Sequence, residues 1–482
     1  MTPTTPTVSL NDPAKDPARW WGMGEVLRLA APSVLNTASF TLMQFVDGVM
    51  VSRVGHEALS AQMVGGITAF TPMCFFIGLL SCVSTFAAQN LGAGRKERAA
   101  RYGWQGLWLA WGAALAGMAI LLPAAPWIFA LFGHEPHVTA LETQYFRILV
   151  AGGGFSLSVT ALGSFFMGVH RPKLPLVAGI CGNAVNLVAA YVLIFGALGL
   201  PRLGLMGAAV GSVIGTAVQA LIMFGFFAVG RYAREYEARR QWRPAWRAML
   251  DLARIGAPAG GMFITDILMW TIFMGKIIGT FGTEALTATA IVNRYWHLCF
   301  MPAIGVSTAV TATVGRYCGA RQPHLAWRRA HAGLLLIEGY MVTAGIVIWL
   351  ARDPLVAFFN KPPDPVVQSV ATSAVIFILI CQAFDALNVT FIGALRGAGD
   401  TLWPGIVQTA LGYGLGLGAS ALVAYERPEW GMLGPWAAAS AYVMLLGLVM
   451  WVRFLRGKWR TMTVVEPAPM TVPVEPANLP PA

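Results

Sequence analysis

The sequence predicts an all-α polytopic membrane protein, with twelve transmembrane helices in two six-helix lobes related by a parallel pseudo-two-fold repeat. Three observations predict it. Only 11% of the 482 residues are charged and 56% are hydrophobic, against about 25% charged in soluble domains. Near-continuous apolar stretches recur along the chain, each of about 20 residues or more and so able to cross roughly 30 Å of hydrocarbon as a helix. A pattern of residues in the first half also returns, in register, in the second. Barrel strands would be about 10 residues long with alternating polarity, and these stretches do not alternate.

The spans fall near residues 26–52, 58–88, 104–129, 139–168, 174–198, 204–230, 250–281, 286–315, 327–351, 366–395, 402–424 and 431–455. Most of the 33 Lys and Arg then lie on one side. They include Arg95, Lys96, Arg98 and Arg101, the loop Arg231–Arg254, the group Arg316, Arg321, Arg328 and Arg329, and the stretch Arg453–Arg460. The opposite side has Arg53, Arg202, Arg352, Lys361 and Arg427. The positive-inside rule places both termini in the cytoplasm. The net charge of +11 is thus a topological signal, and no nucleic-acid partner is expected.

The predicted organisation is a polar cytoplasmic tail over 1–24, an N-lobe over 25–230 and a basic cytoplasmic linker over 231–249. A C-lobe follows over 250–457, then a Pro-rich cytoplasmic tail over 458–482, expected to be disordered after Arg460. Residues 1–24 show no short apolar core and no small-residue cleavage site, so a cleavable signal peptide is not expected. The six cysteines (Cys74, Cys82, Cys181, Cys299, Cys318, Cys381) lie in or beside apolar spans. They read as small packing residues rather than a disulfide framework.

The repeat is read from VGHEALSA, beginning at Val54, and FGTEALTA, beginning at Phe281. The same offset carries Gly78 onto Gly305, Gly92 onto Gly319, Gly204 onto Gly431 and Gly207 onto Gly434; Pro175 meets Pro404 with a shift of two. Six spans per copy means that both copies enter from the same side, so the axis runs along the membrane normal and a substrate cavity would lie between the lobes. Duplication alone could also build a larger scaffold.

Three carboxylates in apolar runs argue for transport. Asp47, Asp266 and Asp385 each carry a cost on the order of 2.5–3.5 kcal/mol on insertion scales unless a partner or a water-filled cavity receives them. Asp47 lies about 9 Å inside the boundary marked by Arg53, at ~1.5 Å per residue. Asp266 and Asp385 lie roughly 18 Å from Arg254 and Arg396 respectively, near the midplane. Burial penalises a bare carboxylate charge there unless a cation accompanies it. Asp266 and Asp385 are therefore candidates to exchange Na⁺ or H⁺, as hard oxygen ligands; the alternative is a hydrogen bond that only ties two helices. By the repeat, Asp266 falls on Ser39, Asp385 on Phe155 or Ser156, and Asp47 on Met274. The carboxylates are not symmetry mates, so the two lobes should do different work.

With these residues in place the chain resembles the MATE (multidrug and toxic compound extrusion) antiporters, in particular their NorM-like branch. The likeness runs from about Leu27 to Arg456. It rests on PSVLNTASFTLMQFVDGVMVSRVG in the first span, AAQNLGAGRKERA after the second, NLVAAYVLIFG in the fifth, Pro258 through Asp266 in the seventh, and FDALNVTFIGALRGAGDT in the tenth. The resemblance implies a V-shaped cavity between two lobes and export of organic, cationic, amphipathic compounds driven by inward flow of Na⁺ or H⁺. It further implies a bacterial inner-membrane location, no cofactor beyond that coupling ion, and a monomer embedded in lipid. Position by position, Asp47 matches the first-helix carboxylate of the N-lobe, Asp266 the acidic position of the seventh helix, and Asp385 the tenth-helix carboxylate. Asn186 matches an asparagine that lines the N-lobe pocket. Related sequences carry a second asparagine four residues later, where this chain has Ala190; Asn183 lies on the same face as Asn186 and completes the candidate pocket of Asp47, Asn183 and Asn186.

Other features have plainer readings. Lys276, Arg147 and Arg294 lie in or near spans, and Lys276 and Arg294 either snorkel or pair with a cavity carboxylate. Most Phe, Trp and Met residues read as lipid-facing or interfacial anchors. Gly152–Gly154 and Gly414–Gly418 read as close helix packing, since no strand precedes them as a nucleotide loop would require. A lipid-linked oligosaccharide flippase of similar architecture is the nearest alternative, and would be expected to carry more cationic groups in its cavity. An intramembrane enzyme would need a paired motif such as His-Glu-x-x-His, and a channel a filter-like repeat; neither occurs.

Overall fold

Apolar stretches become helices in lipid because only a helix satisfies its own backbone there. The computed structural model describes residues 22–360 and 363–465, and all regular structure among them is helical. Eleven helices are long and apolar enough to span a membrane, and a bent pair makes a twelfth. They are α1 (Met23–Ser52), α2 (Glu57–Gly92), α3 (Lys96–Ala130), α4 (Pro136–Ala151 with Gly153–Gly168), α5 (Lys173–Phe195) and α6 (Leu205–Val229). The second half supplies α7 (Trp246–Phe281), α8 (Thr283–Gly319), α9 (Pro323–Leu350), α10 (Pro365–Ala398), α11 (Leu402–Glu426) and α12 (Leu433–Leu455).

One expected span is not a single straight helix. α4 bends by 44° between Ala151 and Gly153. The cause is packing: a Cβ on Gly152 would enter the Val213 side chain of α6, and one on Gly154 would lie 2.7 Å from the Trp111 ring of α3. The glycine cluster is thus a close-packing device, as its composition predicted.

The repeat is visible in the turns at the basic end. Gly94 and Arg321 are equivalent positions, and both adopt positive φ, 75° and 56°. Each turn closes with the same backbone pair, Gly94 to Leu91 and Arg95 to Asn90 in one, Arg321 to Cys318 and Gln322 to Tyr317 in the other. The turns at His170 and Gly399 close in the same way. Both pairs are the C-terminal cap geometry that satisfies carbonyls left over by a helix.

Interfaces between the halves are reciprocal too: α1 packs on α8, and its counterpart α7 packs on α2. A Cβ on Gly78 of α2 would lie 2.7 Å from the carbonyl of Ala259 in α7, and one on its repeat mate Gly305 2.9 Å from Val34 of α1. Both approaches fall in the half of the molecule that carries the basic loops. Hydrogen bonds seal the same end. Thr85 and Gln89 of α2 donate to the carbonyls of Arg396 and Gly397, each at 2.9 Å. Arg329 Nε donates to Glu25 at 2.7 Å, and Tyr317 to the same carboxylate at 2.9 Å.

The loop joining the halves is docked on the first. Glu235 pairs with Lys96 at 3.2 Å and Arg171 at 3.8 Å, and Trp104 donates to the Ala238 carbonyl at 2.7 Å. The C-terminal tail departs from the expectation of disorder over its first residues. Trp459 is fully buried and stacks on Phe454 at 4.7 Å, while the Val464 amide donates to Gln89 at 3.0 Å. This stretch carries no proline; the first in the tail is Pro467. The remainder of that tail from 466, the N-terminal segment 1–21 and Lys361 lie outside the described residues. All six cysteines are free; Cys181 is exposed and the other five are buried.

Candidate coupling sites

Asp47 is 6% exposed, with Asn186 of α5 and Ser212 of α6 beside its carboxyl group. Asp47 Oδ1 has no hydrogen-bond partner, and neither does Asn186 Oδ1. Asn186 spends its amide on the Ser212 hydroxyl at 3.2 Å. Two buried acceptor oxygens without a donor suit a proton or a cation. The helices meet this closely because α6 presents glycine to α5: a Cβ on Gly215 would lie 2.5 Å from that of Asn186, and one on Gly211 2.7 Å from the Ala190 amide. Ala190 is thus held in a helix contact.

Asn183 does not join this group. Its amide donates to Ser39 at 2.9 Å, and Ser39 lies about 12 Å along α1 from Asp47 at ~1.5 Å per residue. A shared helical face gave the right side of α5 and the wrong depth on α1. The pocket gains Ser212 instead, from a helix whose apolar sequence carries no signal for it.

The C-half site is built from five helices. Asp385 of α10 is 5% exposed, with Asn388 and Trp296 adjoining it and Asp266 of α7 within electrostatic reach. Gln408 of α11 donates to Asp266 at 3.0 Å. Tyr442 of α12 feels both carboxylates and packs against Gly416, whose Cβ would lie 3.3 Å from its ring. That glycine belongs to a π-helical segment, Gly412–Ala419, of the kind that often marks functional sites. Within the Gly414–Gly418 cluster only Gly416 packs against another helix; a Cβ on Gly414 would meet nothing within 4 Å, so the cluster is a widened helix more than the packing face its composition suggested.

Around this pair several oxygens lack donors: Gln408 Oε1, Asn388 Oδ1 and Gln382 Oε1. Among the described residues no group of three or more His, Cys, Asp or Glu side chains converges as a metal site. A Na⁺ at Asp266 and Asp385 would draw its other ligands from amide and hydroxyl oxygens, which suit a hard cation. Trp270, Trp296 and Trp436 stand 6.0–6.4 Å from one another in the same lobe. Trp436 is 1% exposed, so this cluster is core, unlike the interfacial role expected of most aromatics. Arg294 lies over the Phe359 ring at 4.9 Å and away from the carboxylates' hydrogen-bond partners.

The two-part organisation recurs in the sequence comparison. The MatE family model matches residues 32–192 and again 258–425, one block in each half. The chain belongs to the MatE family. Two relatives are named as probable multidrug resistance protein NorM. That of Aromatoleum aromaticum is 28% identical over 407 residues, covering 84% of this chain and 87% of the relative. That of Mesorhizobium japonicum is 29% identical over 468 residues, covering 92% and 96%. A solved structure described as an outward-facing multidrug resistance MATE family transporter of the MOP superfamily superposes with a TM-score of 0.82 at 19% identity, over 90% of this chain and 95% of that one. A MOP superfamily transporter from Pyrococcus furiosus gives the same score. At such identity these structures establish the MatE fold.

Within that fold Asp47, Asp266 and Asp385 occupy two separate polar sites, and Asn186 joins Asp47. Sequence reasoning missed Ser212, Gln408 and Tyr442. It also missed Glu142, which is fully buried and pairs with His134 at 2.8 Å; its neighbour in sequence gave no hint of depth.

Proposed function

We propose that the chain is a multidrug exporter of the bacterial inner membrane. It expels organic, cationic, amphipathic compounds as a monomer while Na⁺ or H⁺ flows inward. The basic end is cytoplasmic and holds both termini. The lobes rock about the reciprocal α1–α8 and α7–α2 interfaces, and the sealed basic end belongs to a state open toward the far side. The observation that carries this reading is the separation of the carboxylates within the spans: Asp47 with Asn186 in one lobe, Asp266 and Asp385 within electrostatic reach of each other in the other. One charged site can then exchange the ion while the other responds to substrate or proton, which is what coupling through two conformations needs.

Ion binding at Asp266 and Asp385 would neutralise a repulsive pair and favour the lobe shape in which its oxygens converge. The relatives' names support multidrug export. A single guanidinium, Arg396, lines an inner cavity and is the one observation that favours the flippase reading; set against the carboxylates of Asp47, Asp266 and Asp385 within the spans, it leaves export ahead. Dye efflux from proteoliposomes under an imposed Na⁺ gradient or an imposed pH gradient, applied separately, tests the reading. Efflux under one of them supports it, and efflux under neither removes it.

A further inference from the structure

One cavity in the molecule is remote from the carboxylates. It encloses about 260 Å³ between the lobes, just above the sealed basic end. Ser33 and Asn36 of α1, Ser81 of α2, Thr308 and Thr311 of α8, and Arg396 of α10 supply its polar lining. Arg396 is its charged member. Its Nη1 reaches Ser81 Oγ and its Nη2 reaches Thr311 Oγ1, each at a long 3.4 Å. Its buried Nε has no partner. Among the described residues no carboxylate pairs with it: the nearest in sequence, Asp400, is taken by Arg453 at 2.8 Å.

A part-buried guanidinium in a cavity wall without a counter-charge is costly, yet the fold fixes this one firmly. Thr85 of the other lobe holds the Arg396 carbonyl at 2.9 Å. Gly397 brings α10 against α8 so closely that a Cβ there would lie 2.5 Å from the Thr311 carbonyl. Hydroxyls surround the fork but supply no charge, and a planar oxyanion is the group that matches it.

We propose that Arg396 forms an anion subsite on the floor of the inter-lobe cavity, taking the carboxylate of a zwitterionic amphipath. This rests on the export reading and adds to it a residue that recognises one end of the exported molecule. Asp385 lies about 16 Å up the same helix, at ~1.5 Å per residue, so α10 carries an acidic group and a guanidinium at two separate depths. The same chemistry admits a free inorganic oxyanion.

The test uses purified full-length protein and two probes, a free-acid rhodamine and its ethyl ester, with affinities read by fluorescence anisotropy. Arg396→Gln is expected to weaken the acid roughly ten-fold, the scale of one lost charge-assisted contact, and to leave the ester within about two-fold. Arg396→Lys keeps the charge without the fork and falls between. Should the glutamine variant fail to fold, selective weakening of the acid by the lysine variant carries the same conclusion. Equal weakening of acid and ester, or no weakening of either, overturns the proposal. If sulfate displaces the acid from the wild type but not from Arg396→Gln, the site also takes free oxyanions; if it does not displace it, the site takes the anion only as part of the amphipath. Wild-type protein that binds neither rhodamine removes the export reading and this proposal with it; binding of the ester without any dependence of the acid on Arg396 removes this proposal alone.

Discussion

Asp266 and Ser39 hold equivalent places in the two repeats, and each is gripped by an amide from the corresponding neighbour helix: Gln408 donates to Asp266 at 3.0 Å and Asn183 to Ser39 at 2.9 Å. The scaffold is duplicated while the charge is not. The fold thus offers the same amide-to-helix bond twice and places an ionisable group on only one copy. Gln408→Leu should therefore slow ion-driven dye efflux roughly ten-fold, the scale of a hydrogen bond to a charged group. Asn183→Leu should change the initial rate less than about two-fold. Comparable losses from the two variants would show that the N-half amide serves coupling as well.

Asp47 has an oxygen without a hydrogen-bond partner in the protein. Asp47→Asn keeps its size and removes its charge. Expressed in a pump-deficient host, this variant should reach the membrane at wild-type level and confer no resistance to cationic dyes. Full resistance would remove Asp47 from the coupling scheme.

Topology rests on the distribution of Lys and Arg. Reporter fusions placed after Arg460 and inside the loop Arg231–Arg254 should both report the cytoplasm. A periplasmic signal from either would show that the orientation is inverted or a span miscounted.

A latch at the basic end has a pH dependence of defined sign. His170 lies in the turn between α4 and α5, outside the spans, and contacts Arg316 Nη1 at 3.2 Å and the Ala312 carbonyl at 3.3 Å. Burial, then repulsion from Arg316 and Arg171, pushes its imidazole down from 6.5 to about 4, with Glu25 opposing. The closed latch therefore holds His170 neutral, and an opened one lets it take up a proton near 6.5. Closure is at full strength above about pH 6.5 and is lost as the pH falls toward 4, because the open state binds more protons. Between pH 7.5 and 5 the open population, measured by distances between spin labels on the two lobes, should rise on the order of ten-fold. His170→Gln should flatten that response. An unchanged slope would assign the pH dependence to other groups.

Much of this was legible in the chain. Twelve apolar runs, the glycines in register and the three carboxylates each leave a local mark, and the repeat at Val54 and Phe281 marks the two like halves, though not which helices meet between them. Partners were harder to read. Ser212, Gln408 and Tyr442 come from helices that are apolar nearly all round, so periodicity gives no azimuth for a single polar residue. Asn183 shows the limit well: helical spacing put it beside Asn186, but which residue of α1 it meets depends on how far α5 is shifted along α1. The latch of Glu25, Arg329 and His170 joins residues from three distant parts of the chain, and the basic patch around Arg329 reads in sequence only as topology.

The central claim is that Asp266 and Asp385 share one cation, and a double-mutant cycle in proteoliposomes tests it most directly. Two carboxylates in a dry site titrate and bind as a pair rather than separately. Asp266→Asn and Asp385→Asn should each abolish most gradient-driven efflux, and the double variant should be little worse than either, the non-additivity expected of residues in one site. Independent losses that multiply in the double variant would contradict the shared site and leave Asp47 as the residue that couples the ion to export.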